Sequence, residues 1–162
     1  MSFVLTVCGN NFSLTMGDGR LIRLKDKQVI DEKIQKVYKV KDGVCLGFAG
    51  NPVVAEIALN KMQQYNLKKL DPKKIKQLYI DKLKSIGHIE ENEVKAIISG
   101  KDKNNKFSCY GIDSNNNYDG YSFDNIPRNG YAVLFACSNE NIAQPIVQKH
   151  IYDTQPWEQL IF

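Results

Sequence analysis

Few residues in this chain have chemistry to offer. Its 162 residues include two histidines, His88 and His150, and four cysteines, Cys8, Cys45, Cys109 and Cys137. Neither histidine has a metal-ligating partner at a useful spacing, so no metal and no cofactor is expected. The chain holds no HExxH, no phosphate-binding P-loop, no GxSxG and no GxGxxG. The cysteines lack CxxC spacing and stand among apolar neighbours, which predicts free buried thiols in a reducing compartment. What remains is the N-terminal block. Ser2 follows Met1 directly, and methionine aminopeptidases remove Met before a small residue. Removal exposes a serine that carries a free α-amine. That amine has a reference pKa of about 7.7–8.0, so near neutral pH it can take the proton of the adjacent hydroxyl. Nucleophile and base then share one residue. Asp18 lies in the turn Met16-Gly17-Asp18-Gly19-Arg20, Lys36 heads a later strand, and Ala49-Gly50 closes a nearly apolar one. Cys8, followed by Gly9, is an alternative nucleophile, but using it requires loss of seven residues and destroys the register with Asp18.

Strands and turns must bring these residues together. Phe3 to Cys8 is a β-rich run, Gly9-Asn10-Asn11 a turn, and Phe12 to Met16 the returning strand, which can carry Asp18 back beside Ser2. Arg20 to Leu24 alternates weakly, and a polar loop opens at Asp26-Lys27. Lys36 to Val40 alternates with period two. Lys41-Asp42-Gly43 is a hairpin turn, and Val44 to Ala49 reads as a fully buried strand. Asn51-Pro52 and Asp71-Pro72 each pair an N-cap with a proline at the first helical position. The apolar stripes behind them are Val54, Ile57, Ala58 and Met62, then Ile75, Leu78, Tyr79, Leu83 and Ile86, stopped by Gly87. Four further strands are predicted: Val94 to Ser99, Phe107 to Ile112, Tyr118 to Phe123 and Tyr131 to Cys137. A last helix starts at Ser138 or Asn139 and runs to about Tyr152, with Pro145 kinking it or marking its true start. The apolar tail from Trp157 to Phe162 must dock on something. Runs of strands with segregated helices predict an α+β fold, two antiparallel sheets face to face with helices outside.

Size and composition agree. At 18.4 kDa the chain is one domain spanning 1–162, and 43% hydrophobic with 25% charged residues excludes a disordered chain or a coiled coil. The longest apolar stretch, Val44 to Gly50, is far short of the roughly 20 residues that cross a bilayer. The first residues lack a basic n-region, so no signal peptide and a cytoplasmic location are expected. The net charge is +4, with eight lysines between Lys61 and Gly87 against Asp71 and Asp81. This reads as a solvated helix face. A nucleic-acid surface, the third reading, would recruit arginine and exposed aromatics, yet only Arg20, Arg23 and Arg128 occur.

From Ser2 to about Met62 the sequence resembles the proteasome β-subunit family, most closely the bacterial HslV peptidases. Ser2 aligns with the N-terminal nucleophile and Asp18, without a gap, with the aspartate of the family's "GDG" or "DSR" turn. Lys36 matches the catalytic lysine before an alternating strand. Gly47-Phe48-Ala49-Gly50 matches "GFAG", whose last glycine donates an oxyanion-hole N–H. Downstream, Ile97-Ile98-Ser99-Gly100 looks like "IITG", and Cys137-Ser138-Asn139 like "GSG", which puts Ser138 at a hydroxyl position. The resemblance implies a four-layer αββα sandwich, shortened at its C-terminus, and an N-terminal-nucleophile hydrolase of peptides or amides. It implies Ser2, Asp18, Lys36, Gly50 and Ser138 as the site, a ring-like homo-oligomer and an ATPase partner. Two departures stand out. The family's usual nucleophile is Thr, and of its downstream aspartate only Asp153 is left, at a different spacing. The alternative reading, followed if Met1 is retained, is a catalytically inert subunit of the same family, an oligomeric scaffold or binding module.

Overall fold

The computed structural model describes residues 2–23, 26, 28–87, 93–137, 140–147 and 149. Strand β1 (Phe3–Gly9) turns back as β2 (Ser13–Gly17), and a short ribbon follows, β3 (Leu21–Ile22) with β4 (Val29–Asp31). Strands β5 (Val37–Lys41) and β6 (Val44–Gly50) form a hairpin whose turn holds Gly43 at φ +74°, a conformation glycine adopts without penalty. Helices α1 (Pro52–Gln63) and α2 (Pro72–Lys84) come next. Then follow β7 (Val94–Lys101), β8 (Phe107–Asp113), β9 (Ser122–Phe123), β10 (Tyr131–Cys137) and α3 (Glu140–Val147). The strands lie in three sheets of order β10-β1-β2, β3-β4 and β5-β6-β7-β8-β9, and every pairing among the described residues is antiparallel. The chain is therefore α+β. Among the described residues no helix is long and apolar enough to cross a membrane.

Both long helices start as their caps dictate. Asn51 Oδ1 accepts from the Val53 and Val54 amides at 3.0 and 3.3 Å, and Asp71 Oδ1 from the Lys74 amide at 2.8 Å. These side chains satisfy donors that the first helical turn leaves unpaired.

Period two sorts the five-stranded sheet into two faces. Val44, Leu46 and Phe48 of β6, Val94, Ala96 and Ile98 of β7, and Ile112 of β8 pack with α1 and α2 in one apolar cluster. Ala49, Ile97 and Cys109 point the other way and join Val4, Cys8, Ala132, Leu134 and Ala136 of the three-stranded sheet in a second. Each fully buried large side chain here contributes about 1.5–3 kcal/mol. Between the sheets lies a polar cluster as well. Thr15 Oγ1 bonds Thr6 Oγ1 at 2.9 Å and Ser99 Oγ at 3.0 Å, and Cys45 Sγ lies 3.2 Å from both Thr15 Oγ1 and Ser99 Oγ. Because these buried hydroxyls satisfy one another only in a single alignment, they fix how one sheet sits on the other.

Several elements differ from the expectations above. The strand predicted over Tyr118 to Phe123 shrinks to Ser122–Phe123, because Asn117 and Tyr118 adopt left-handed φ of 51° and 64° that no extended run accommodates. Arg20 to Leu24 shrinks to Leu21–Ile22, and the predicted loop supplies its partner, β4. On α1 the buried stripe is Val54, Ala55, Ala58, Leu59 and Met62, whereas Ile57 is exposed. Helix α3 passes through Pro145. Its predicted start at Ser138 or Asn139, its predicted end near Tyr152 and the Trp157 tail lie outside the described residues.

The two sheets approach closely at Gly47, where a Cβ would stand 2.5 Å from Val4 Cγ1 and 3.1 Å from Thr15 Cγ2. Gly47→Ala is expected to destabilise the chain by about 1–3 kcal/mol through overpacking. Val4→Ala in the same chain should recover part of that loss. A double-mutant cycle by urea unfolding checks this, and strict additivity would mean that the sheets do not meet there.

Candidate active site

The peptide leaving β2 loops back onto the start of β1. The Asp18 amide donates to the Phe3 carbonyl at 3.0 Å, and the Phe3 amide donates to Asp18 Oδ1 at 3.0 Å. This reciprocal pair holds the Asp18 carboxylate against the peptide bond that joins Ser2 to Phe3. The Lys36 Nζ donates to the same Oδ1 at 2.5 Å and to the Arg20 carbonyl at 2.6 Å. The Lys36 side chain is 2% exposed and that of Asp18 36%. A buried ammonium needs a counter-charge and acceptors for its protons, and here a carboxylate and a carbonyl supply both.

Local sequence explains each placement. Lys36 precedes β5 and is tied to β6 by the Phe48 amide, which donates to the Lys36 carbonyl at 3.0 Å. Its stem passes Gly17, where a Cβ would stand 3.4 Å from Lys36 Cβ and 3.1 Å from Val4 Cγ2. The Ile34 amide donates to the Gly19 carbonyl at 2.9 Å, closing the Asp18 turn onto the segment that leads into Lys36. Two residues beyond Lys36, Tyr38 stacks on Phe48 with ring centroids 6.1 Å apart and donates to Glu56 at 2.8 Å. Burial and that carboxylate push its phenol up to about 12, so it stays protonated at neutral pH.

Ser2 is buried, and the packing of the sheets indicates which end of β6 it lies toward. Thr6 meets Cys45 through Thr15, and Val4 meets Gly47. Alternate residues of β1 thus descend β6 as it ascends, so the start of β1 lies toward the Gly50 end of β6. Gly50 has φ +101°, and a Cβ there would collide with the Glu93 carbonyl, so only glycine fits. That carbonyl instead takes the Asn51 amide at 2.8 Å. Gly50 immediately precedes the cap of α1, where the helix dipole favours negative charge.

The structure therefore brings Asp18, Lys36 and the start of β1 into direct contact and sets Gly50 at the adjoining strand end. Ser138 lies outside the described residues, as do His88 and His150. Cys8 is fully buried with its thiol donating to the Gly9 carbonyl at 3.9 Å, and neighbouring Cys8 and burial push the Cys109 thiol up. Among the described residues no group of three or more His, Cys, Asp or Glu could hold a metal ion. The sequence reading missed two features. One is the Arg20 carbonyl, for which side-chain identity gives no signal. The other is an ion pair, Lys95 to Asp113 at 3.1 Å, in the row that crosses from Ala49. A lysine inside the apolar run Val94-Lys95-Ala96-Ile97-Ile98 was its only trace.

The burial asymmetry of Asp18 and Lys36 sets their relative costs. Asp18→Ala leaves a buried ammonium with one carbonyl and should cost about 2–4 kcal/mol, the lower half reflecting water's access to the site. Lys36→Met leaves a carboxylate that reaches solvent and still accepts the Phe3 amide, so about 1 kcal/mol is expected. Urea midpoints at unchanged m-value measure both, and equal losses would refute the asymmetry.

No protein-family model matches the chain, and no curated protein matches it.

Proposed function

We propose that this chain is an N-terminal-nucleophile amide hydrolase of the kind its resemblance to proteasome β-subunits and HslV implies. In this reading the two sheets are the middle of a four-layer αββα sandwich, with α1 and α2 on one side and α3 on the other. The observation that carries it is the single Asp18 oxygen that accepts both the buried Lys36 ammonium and the amide following Ser2. A nucleophile at Ser2 needs a fixed cation at this place, and the Asp18–Lys36 pair supplies one.

Each group has a role. After Met1 is removed, the Ser2 α-amine takes the Oγ proton, directly or through one water, as Oγ attacks the substrate's carbonyl carbon. The tetrahedral oxyanion receives the Gly50 N–H, a contact of the kind whose loss costs about 3 kcal/mol. Lys36 stabilises the developing charge, and Asp18 positions Lys36. The amine returns the proton to the leaving nitrogen as the C–N bond breaks, leaving an ester on Ser2. Water then attacks the ester, giving its proton to the amine, and the acid departs with Ser2 restored. Ser138 would add a hydroxyl beside the terminus. Exposed Leu14, Met16, Val29 and Ile30 offer apolar surface that neighbouring copies of a ring-like homo-oligomer would cover. A cytoplasmic location and an ATPase that feeds the ring complete the proposal.

Two preparations test it, one beginning at Ser2 and one retaining Met1, each verified by intact mass and assayed on a fluorogenic peptide amide. Hydrolysis is expected only from the first. Its rate should rise with pH through roughly 7.7–8.0, as the amine loses its proton. Ser2→Ala should abolish hydrolysis, Ser2→Thr should retain it, and Lys36→Ala should lower kcat about 10²–10³-fold. Activity unchanged by Ser2→Ala would overturn the proposal. A folded but inactive Ser2-first protein would favour the inert scaffold.

A further inference from the structure

The space between the sheets opens, on the side of β1 away from Lys36, into a cavity of about 570 Å³. Its residues differ in kind from those around Asp18. Ile97 and Leu134 give an apolar wall. The Lys95–Asp113 pair lies on that wall, with side chains 15% and 25% exposed. Asp119 contributes a second carboxylate at the edge, and Tyr121, 78% exposed, stands at the rim. Lys95 neutralises one carboxylate, so the lining as a whole carries one excess negative charge on a chain whose net charge is +4.

Position gives this cavity a meaning. The register runs Ala49 opposite Lys95 and Lys95 opposite Asp113. Neighbouring strands are about 4.8 Å apart, so Lys95 lies one step and Asp113 two steps across the sheet from β6. An extended peptide advances about 3.3 Å per residue, so two or three residues cover that distance. We propose that the cavity is a subsite for a long cationic side chain, arginine above all, on a peptide bound between the sheets two or three residues from Ser2. This deepens the proposed function and rests on its reading of the inter-sheet space as a peptide site. The fit is chemical. The methylene stem lies along Ile97 and Leu134, and the guanidinium pairs with Asp119 and shares Asp113 with Lys95. Tyr121 stacks on the guanidinium plane. A neutral side chain can make the apolar contacts but not the charge pairs, and an acidic one is repelled by Asp119.

Binding is measured on the Ser2→Ala chain, which cuts nothing, with a blocked hexapeptide carrying one arginine and the same peptide carrying citrulline. Citrulline keeps the shape and loses the charge. The arginine peptide is expected to bind about tenfold more tightly. Asp119→Asn, an exposed substitution that leaves the fold intact, should remove most of that preference. Lys95→Met should increase it several-fold, because Asp113 loses its competing ammonium, whereas a purely structural role for Lys95 predicts a decrease. Equal binding of the two peptides, binding of neither, or a preference indifferent to Asp119 and Lys95 overturns the proposal. If the arginine preference is present and the Ser2-first chain hydrolyses neither peptide, the hydrolase reading falls and the subsite stands.

Discussion

The Lys36 ammonium is the constraint around which the first third of the chain is arranged. Moving a cation out of water costs several kcal/mol, and attraction to an anion repays this only with good geometry and every proton engaged. Meeting that demand requires the Asp18 turn, the Arg20 carbonyl and the start of β5 to converge on one atom. Gly17 and Gly19 serve the convergence by keeping backbone close. A Cβ at Gly19 would stand 2.6 Å from the Glu32 carbonyl, so the Asp18 turn could not approach the segment leading to Lys36. An apolar pair of similar volume would hold the same strands together at least as well. The ion pair is thus a poor device for stability, and what it does fix is the position of the Asp18 carboxylate against the Phe3 amide.

The inter-sheet space extends this logic. Sheets that meet through side chains of like size can slide past one another by two residues at little cost. Here the Thr6, Thr15, Ser99 and Cys45 cluster removes that freedom, since a slip would leave buried hydroxyls unpaired. Gly47 acts sterically in the same sense, accepting Val4 where any larger residue would refuse it. Polar matching and close approach together fix β1 on β6, with the start of β1 toward the Gly50 end.

Much of this was legible from the residues. Strand alternation, the Asn51 and Asp71 caps, and the Gly43 turn are local signals written into adjacent positions, and Asp18 and Lys36 sit where turn and strand patterns put them. The failures are those of local reading. Helix α1 carries apolar residues at Val53, Val54, Ala55, Ile57, Ala58 and Leu59, more than one face can hold, so periodicity alone could not choose Ala55 and Leu59 over Ile57. The weak β3–β4 ribbon has an exposed partner strand with no burial pattern to betray it. Asn117 and Tyr118 look extended by composition, and their left-handed backbone is set by the loop that closes onto β8, where the Gly111 amide bonds the Tyr121 carbonyl at 2.6 Å. The Lys95–Asp113 pair joins residues on neighbouring strands, a relation that only register reveals.

Features that oppose stability occur at both ends of β6. Gly43 has positive φ, but it turns a hairpin, where such backbone is ordinary. Gly50 has it at a strand-to-helix junction, where a less demanding connection would serve if joining β6 to α1 were the only task. Lys36 places a charge in the interior at the same end, and the Lys95–Asp113 pair lies in the row that crosses β6 beside Gly50. At the opposite end of β6, Val44 pairs with Gly100, whose φ of +152° and close approach to the Gly43 carbonyl again admit only glycine. Glycine-only backbone thus occurs at both ends of β6, while the Lys36 ammonium and the Lys95–Asp113 pair lie toward its Gly50 end. The glycines serve close approach of backbone, and the charges are the groups whose desolvation the fold must offset with partners.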